Sequence, residues 1–405
     1  MRRVAVTGVG VISALGLNQE EFREALQSGH CAIGPMECAE ASEIRFKNVA
    51  EVHGYDPEAR FSAEELVFLD RFAQFALLAA EEAVTQAGVE WTQQLREEAA
   101  VVTGSCMGGR SAEEAGYREL FQHGKSRVHP MTIPRGMSNA GASHISMKYG
   151  IQGPAYTVST ACSSSAHAIG QAFWLVRSGA VPMALAGGSE APLFLGGLKA
   201  WEAMRVISKD TCRPFSANRS GMILGEGGAM LVLEPLEAAL ARGARPMAEI
   251  VGFGMSADAG HITQPSSEGA ARAIRSALRD AGLAPEQIGY INAHGTATEM
   301  NDRTETASIR CAFGAPAERL AVSSTKSMHG HTLGAAGALE AVATVLALRD
   351  GVLPPTANFT TADPACDLDV IPNVARELSV EAALSNSFAF GGLNAVLAFR
   401  ASARA

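Results

Sequence analysis

Short apolar runs alternate with longer stretches of helical period along almost the whole chain, an alternation that predicts strands separated by helices. Arg3 to Val9 predicts a strand that ends in glycines, and Gln19 to Gly29 predicts a helix. Glu37 to Arg60 reads as a loop-rich insertion and Ser62 to Gly88 as one long helix. Ala99 to Gly104 is a continuous apolar strand, the pattern of a sheet covered on both faces. It runs into the turn Ser105-Cys106-Met107-Gly108-Gly109, a place for a pocket edge. Beyond an irregular segment from Gln122 to Pro134, Tyr156-Thr157-Val158 favours a strand, and Ser163 to Ser165 are N-cap residues for a helix reaching about Arg177. Strands over Pro182 to Gly187 and Ala229 to Glu234 follow.

The order then begins again. Ala248 to Gly254 matches the opening strand, Glu268 to Gly282 is a helix, and Ile288 to Ala293 is a strand. Leu320 to Ser324 leads into a glycine-rich turn and the helix Ala335 to Asp350, as the Tyr156 strand leads into its own helix. Ala383 to Phe399 closes as a hairpin. A duplicated α/β unit accounts for the echo, with halves at 1–245 and 246–405. No linker rich in Pro, Gly or Ser separates them, so the halves are expected to share one core.

The chain has 405 residues, 47% of them hydrophobic and 19% charged, enough for a large buried core. A formal net charge of -9 argues against nucleic acid as the main partner. The seven cysteines, at 31, 38, 106, 162, 212, 311 and 366, show no CxxC spacing, which predicts reduced thiols in the cytoplasm and neither disulfides nor a metal site. Met1 to Leu15 imitates a short signal peptide, but its Val4-Val6 alternation and glycines read as a strand. Gly334 to Leu348 is interrupted by Glu340 and too short to span a bilayer, so no membrane anchor is expected.

Three stretches carry candidate chemistry. Cys162 sits where a strand stops and a helix starts, so the open amides and dipole of the helix are expected to favour its thiolate, the form that attacks an acyl carbon. The other reading is a buried structural thiol. His294 ends a strand in Asn292-Ala293-His294-Gly295-Thr296-Ala297-Thr298, where an imidazole is either a ligand-site group or a histidine capped by its neighbours. Lys326-Ser327-Met328-His329-Gly330-His331 puts a lysine and two histidines on one turn, an uncommon packing pattern. A cysteine to be acylated, two imidazoles able to donate to a thioester carbonyl and glycine turns with open amides make a site for acyl transfer and carbon-carbon bond formation.

These residues stand in VAVTGVGVISALG, TACSSSAHAIG, CRPF with LGEGGAMLVLE, GFGMSADAGHITQP, INAHGTAT, SSTKSMHGHTLGAAGALE and SNSFAFGGLNAVL. Through them the chain, from Arg3 to Phe399, resembles the type I/II (KAS II-like) β-ketoacyl-[acyl-carrier-protein] synthases of the thiolase-like superfamily. The resemblance implies an α/β thiolase-like fold, a duplicated five-layer αβαβα arrangement with two mixed sheets. It makes Cys162 the acylated nucleophile, with the amides of Cys162 and Phe390 as oxyanion hole and Phe390 as gate. His294 and His331 hold the malonyl thioester, Lys326 is the active-site lysine, and Glu340 is the carboxylate that orders the site. His329 is assigned as a neighbour, since the spacing from Lys326 matches His331. Thr263, Thr296 and Thr298 match hydroxyls lining the tunnel for phosphopantetheine. Substrates would arrive on that arm of acyl carrier protein, with no tightly bound cofactor, and the enzyme would be a cytoplasmic homodimer or a heterodimer with a related ketosynthase-like subunit.

Several positions depart from the familiar pattern. Glu64 to Arg71 lacks most of the usual basic residues, leaving Lys125, Arg127 and Arg205 as candidate carrier-protein contacts. Leu66, Val67 and Phe68 are read as helix core, the alternative being an exposed apolar patch. Met107 and Trp201 stand at positions that bound the acyl pocket and imply a reshaped chamber. Leu393 replaces a usual threonine, and Ser216, Asn218 and Ser220 replace common acidic residues. A specialised polyketide, polyene or modified-lipid pathway is therefore an alternative to fatty-acid elongation. The rivals are a non-catalytic chain-length subunit, which would lack the nucleophile, and a thiolase, which would carry a second catalytic cysteine.

Overall fold

The computed structural model describes residues 1–37 and 41–402, so Cys38 lies outside the described residues. The strands of the large sheet are β1 (Val4–Ser13), β2 (Ala100–Gly104), β3 (Ala155–Val158), β4 (Ala184–Glu190) and β5 (Gly227–Pro235) in the first half of the chain. The second half supplies β6 (Ala248–Ala257), β7 (Ile288–Asn292), β8 (Ala321–Ser323), β9 (Ala382–Ala389) and β10 (Leu393–Ala401). The helices that position the site are α1 (Gln19–Ser28), α2 (Arg71–Ala87), α3 (Ser164–Ser178), α4 (Ser267–Ala281), α5 (Glu299–Phe313) and α6 (Ala336–Asp350).

The ten strands run in the order β8-β7-β9-β10-β6-β1-β5-β4-β2-β3. The two expected sheets are thus one mixed sheet, joined where Val4, Ala5 and Val6 pair antiparallel with Ile250, Glu249 and Ala248. Both joining strands would otherwise leave a row of backbone groups open at an edge, and pairing them satisfies those groups. Helices α2 and α4 cover the outer faces of the two halves, while α3 and α6 pack together between them, giving five layers.

The glycines expected to end β1 instead lie inside it. A Cβ on Gly8 or Gly10 would stand 2.1 or 2.0 Å from the carbonyl oxygens of Ala83 and Ala79, so these glycines form the groove that lets alanine-rich α2 lie against the strand. Gly252 and Gly254 on β6 do the same beneath Ala277 and Ala273 of α4, at 2.6 and 2.2 Å. The repeat of GVG as GFG is the clearest physical trace of the duplication.

The long helix expected from Ser62 is two. Ser62 closes a capping box over Ala63–Leu66, and the Asp70 side chain then accepts from Phe72 N to start α2 afresh. Val67 and Phe68 between them are 40% and 46% exposed, so they form the surface patch and not helix core.

The packing of α3 on α6 makes the site. Ala338 N donates to Ser165 Oγ at 2.9 Å, and a Cβ on Gly337 would lie 2.8 Å from Ala166 N. Cys162 precedes α3 and His331 precedes α6, so this close contact at the helix N-termini brings both to one place.

Candidate active site

Cys162 follows Ala161, which is held in the left-handed region at φ 52°, a conformation unfavourable for alanine that turns the chain sharply from β3 towards α3. Ser163 is the N-cap residue but makes no capping bond. Its hydroxyl donates instead to Thr160 O and, across the halves, to Leu393 O, each at 2.9 Å. The N–H groups of Phe390 and of Cys162 itself face the sulfur. Burial nevertheless pushes the Cys162 thiol up to about 11, with Lys326 and the Phe390 amide pulling it back only in part. The expected thiolate is thus a thiol at neutral pH, because desolvation by burial outweighs the helix terminus.

His294 is fixed from behind. Glu305 on α5 accepts from His294 N at 2.9 Å and from Gly295 N at 2.7 Å. The Lys326 ammonium lies 3.3 Å from His294 Nδ1, and since an ammonium only donates, Nδ1 accepts and the ring proton sits on Nε2. The His331 backbone is held by Ile223 O and Gly225 N, and its Nδ1 accepts from Leu333 N at 3.3 Å. Its Nε2 is buried without a protein partner. The two rings stand edge to face, 5.4 Å apart at 87°. Burial and the Lys326 charge hold both imidazoles well below the ordinary value of 6.5. Both are neutral Nε2–H donors.

Lys326 is paired with Glu340, both fully buried. Burial raises the Glu340 carboxyl, and the Lys326 ammonium opposes that rise. Asn292 Oδ1, Ser385 Oγ, Ser387 Oγ and Glu340 Oε2 are buried without a protein partner. Among the described residues no group of three or more His, Cys, Asp or Glu is placed to hold a metal ion.

Cys162, His294 and His331 line a cavity of about 310 Å³ whose walls include Trp201 and Phe390. Thr263, Thr296 and Thr298 line its approach, with Thr263 exposed and the hydroxyls of Thr296 and Thr298 3.0 Å apart. Trp201 and Phe390 stack at 6.2 Å. Clefts of about 690 and 640 Å³ elsewhere contain neither cysteine nor histidine, so size does not locate the chemistry.

Other expectations fare differently. Met107 does not line this cavity; it packs behind the wall, in the apolar cluster that contains Trp201 and Met222. His329 faces away, with Nε2 2.9 Å from Thr325 Oγ1 and its ring 6.2 Å from that of Phe22 on α1. Lys125 is paired with Glu119 and Arg127 is exposed, while Arg205 follows Met204 at the cavity rim. Sequence reading overlooked Glu305 and Glu190. A lone carboxylate closing the apolar run Met183 to Glu190 was the available signal for the second.

Residues 1–239 match the family described as beta-ketoacyl synthase, N-terminal domain, and residues 247–360 match beta-ketoacyl synthase, C-terminal domain. Nodulation protein E of Rhizobium sp. (strain N33) is 48% identical over 399 residues, 98% of this chain and 99% of that protein. A 3-oxoacyl-[acyl-carrier-protein] synthase 2 of Synechocystis sp. is 42% identical over 407 residues, 98% of each chain. Among solved structures, the ishigamide ketosynthase/chain length factor superposes with a TM-score of 0.95 at 36% identity, covering 99% of this chain and 100% of that one. With both domain families matched in order around one cysteine-histidine-histidine cavity, the chain belongs to the β-ketoacyl synthase family.

Proposed function

We propose that this chain is a 3-oxoacyl-[acyl-carrier-protein] synthase that carries out the whole decarboxylative condensation. Cys162 gives up its proton to solvent, its thiolate attacks the acyl thioester, and the carrier sulfur leaves and takes up a proton as the free thiol. Malonyl carrier protein then loses CO2, and the resulting enolate oxygen accepts hydrogen bonds from Nε2–H of His294 and His331. The enolate carbon attacks the acyl-cysteine carbonyl, whose oxygen turns to the amides of Cys162 and Phe390, and the thiolate leaves to give 3-oxoacyl carrier protein. The observation that carries this reading is the pair of neutral imidazoles, each with Nδ1 engaged by a donor and Nε2–H left for substrate. Lys326 fixes that tautomer at His294, and Glu340 balances its charge.

The phosphopantetheine arm would pass Thr263, Thr296 and Thr298, with exposed Arg205, next to the lining residue Met204, meeting an acidic carrier protein. A cytoplasmic setting fits substrates delivered in this way. No helix among the described residues is long and apolar enough to cross a membrane. A dimeric enzyme is favoured by the unpaired outer edge of β3 and by the exposed Phe121, Ile133 and Met147, at 82%, 70% and 65%. The partner is a second copy or a chain-length-shaping relative, the arrangement named in the ishigamide and Xenorhabdus doucetiae structures.

The two steps should separate by pH. Cys162 has a raised pKa of about 11, so its reactive fraction grows as pH rises, and acylation should accelerate about tenfold per unit from pH 6.5 to 9.5. The histidines have depressed pKa values, so decarboxylation by protein already acylated should stay flat from about pH 8 to about pH 6. Stopped acylation and labelled CO2 release measure each step. A decarboxylation rate halved near pH 6.5 would show an ordinary imidazole and remove the donor assignment.

Trp201 narrows the cavity, so Trp201→Phe should raise acylation by dodecanoyl relative to acetyl several-fold. An equal change with both acyl groups would mean that Trp201 does not set chain length.

A further inference from the structure

We propose that Glu190 is a positioning residue that sets which acyl chains Cys162 accepts, by clamping the turn behind the acyl chamber to the loop that carries His331. This rests on Cys162 being the acylated thiol. Glu190 is the last residue of β4 and is fully buried. Its Oε1 accepts from Ser105 Oγ at 2.9 Å and from Met107 N and Gly108 N, each at 3.1 Å. Its Oε2 accepts from Cys106 N at 2.8 Å and Gly334 N at 3.1 Å. One carboxylate thus gathers four backbone N–H groups and a hydroxyl from two segments far apart in sequence.

Both segments bear on the cavity. The turn holds Cys106 and Met107, which pack with Trp201 and Met222, and these two line the wall. The other segment is the loop after His331, where the residue before Gly334 supplies the N–H that fixes His331 Nδ1. Gly334 is built for the clamp, since a Cβ there would lie 2.3 Å from Glu190 Oε2. Burial alone would raise the carboxyl, and the converging N–H groups hold it back. A buried charge satisfied almost wholly by backbone suits a part that fixes a loop and takes no direct share in the chemistry.

Two variants test the clamp. Glu190→Gln keeps the shape but turns an NH2 group towards backbone N–H donors, and Gly334→Ala pushes the carboxylate aside. In each, Cys162 acylation is followed by intact mass with acetyl and with dodecanoyl carrier protein, and the ratio of rates is taken within the variant, so that loss of folded protein cancels. The expected result is a shift of that ratio by about tenfold in both variants. A wild-type ratio in either, with rates lowered equally for both acyl groups, would assign Glu190 to stability alone and overturn the proposal. Wild-type protein that is never acylated would instead overturn the reading of Cys162.

Discussion

Cys162→Ala is expected to abolish acyl loading, leaving no mass increase after incubation with acyl carrier protein and lowering condensation by a factor on the order of 10⁴ or more. The reason is geometric, since burial leaves the Cys162 thiol with a high pKa. Of the described cysteines, Cys162 alone lines the cavity, follows a left-handed residue at the mouth of α3, and faces the amides of Phe390 and of itself. Cys106 lies behind the wall beside Glu190, and burial, reinforced by that carboxylate, pushes its thiol well above the ordinary range. Cys212 and Cys366 are buried but do not line the cavity, Cys31 is partly buried outside it, and Cys311 is exposed on α5. Removing one sulfur from a site that already borders a cavity should change stability by only about 1 kcal/mol. Acylation of the alanine variant at an undiminished rate would mean that the nucleophile lies elsewhere.

His294→Ala and His331→Ala are expected to keep acyl loading within a few-fold of normal while lowering release of CO2 from malonyl carrier protein by a factor on the order of 10²–10³ each. In the proposed cycle the first thioester exchange uses the sulfur and the amides of Cys162 and Phe390. The enolate needs both Nε2–H donors, because its charge develops in a site where burial and Lys326 keep the rings neutral. His329→Ala should leave decarboxylation close to normal, since its Nε2 is spent on Thr325. If CO2 release were unchanged in His294→Ala and His331→Ala, the two-donor account would fail.

Much of this site was legible in the sequence because its groups sit where strands hand over to helices. Cys162 follows β3, His294 follows β7, and Lys326 and His331 follow β8, junctions that composition and period mark directly. What could not be read depends on contacts between distant segments. The charge state of Cys162 follows from its burial in the assembled fold, which outweighs the lowering pull of the local amides that helix-end reasoning relied on. The glycines of β1 looked like a turn because nothing local reveals that α2 lies across them. Asp70 was hidden inside an unbroken helical pattern that its own capping bond interrupts. Glu190 and Glu305 work through bonds to backbone 10 to 144 residues away, a relation with no period to detect.

The central claim is that one cavity joins an acyl group on Cys162 to a malonyl unit with loss of CO2. Its most direct test is a single turnover of the wild-type protein, first loaded with an acyl group and then mixed with malonyl carrier protein labelled at the free carboxylate. The account predicts one labelled CO2 per acyl-cysteine consumed, together with a 3-oxoacyl carrier protein longer than the loaded acyl group by two carbons. Loss of the acyl group from Cys162 with the malonyl carrier protein left intact would contradict it.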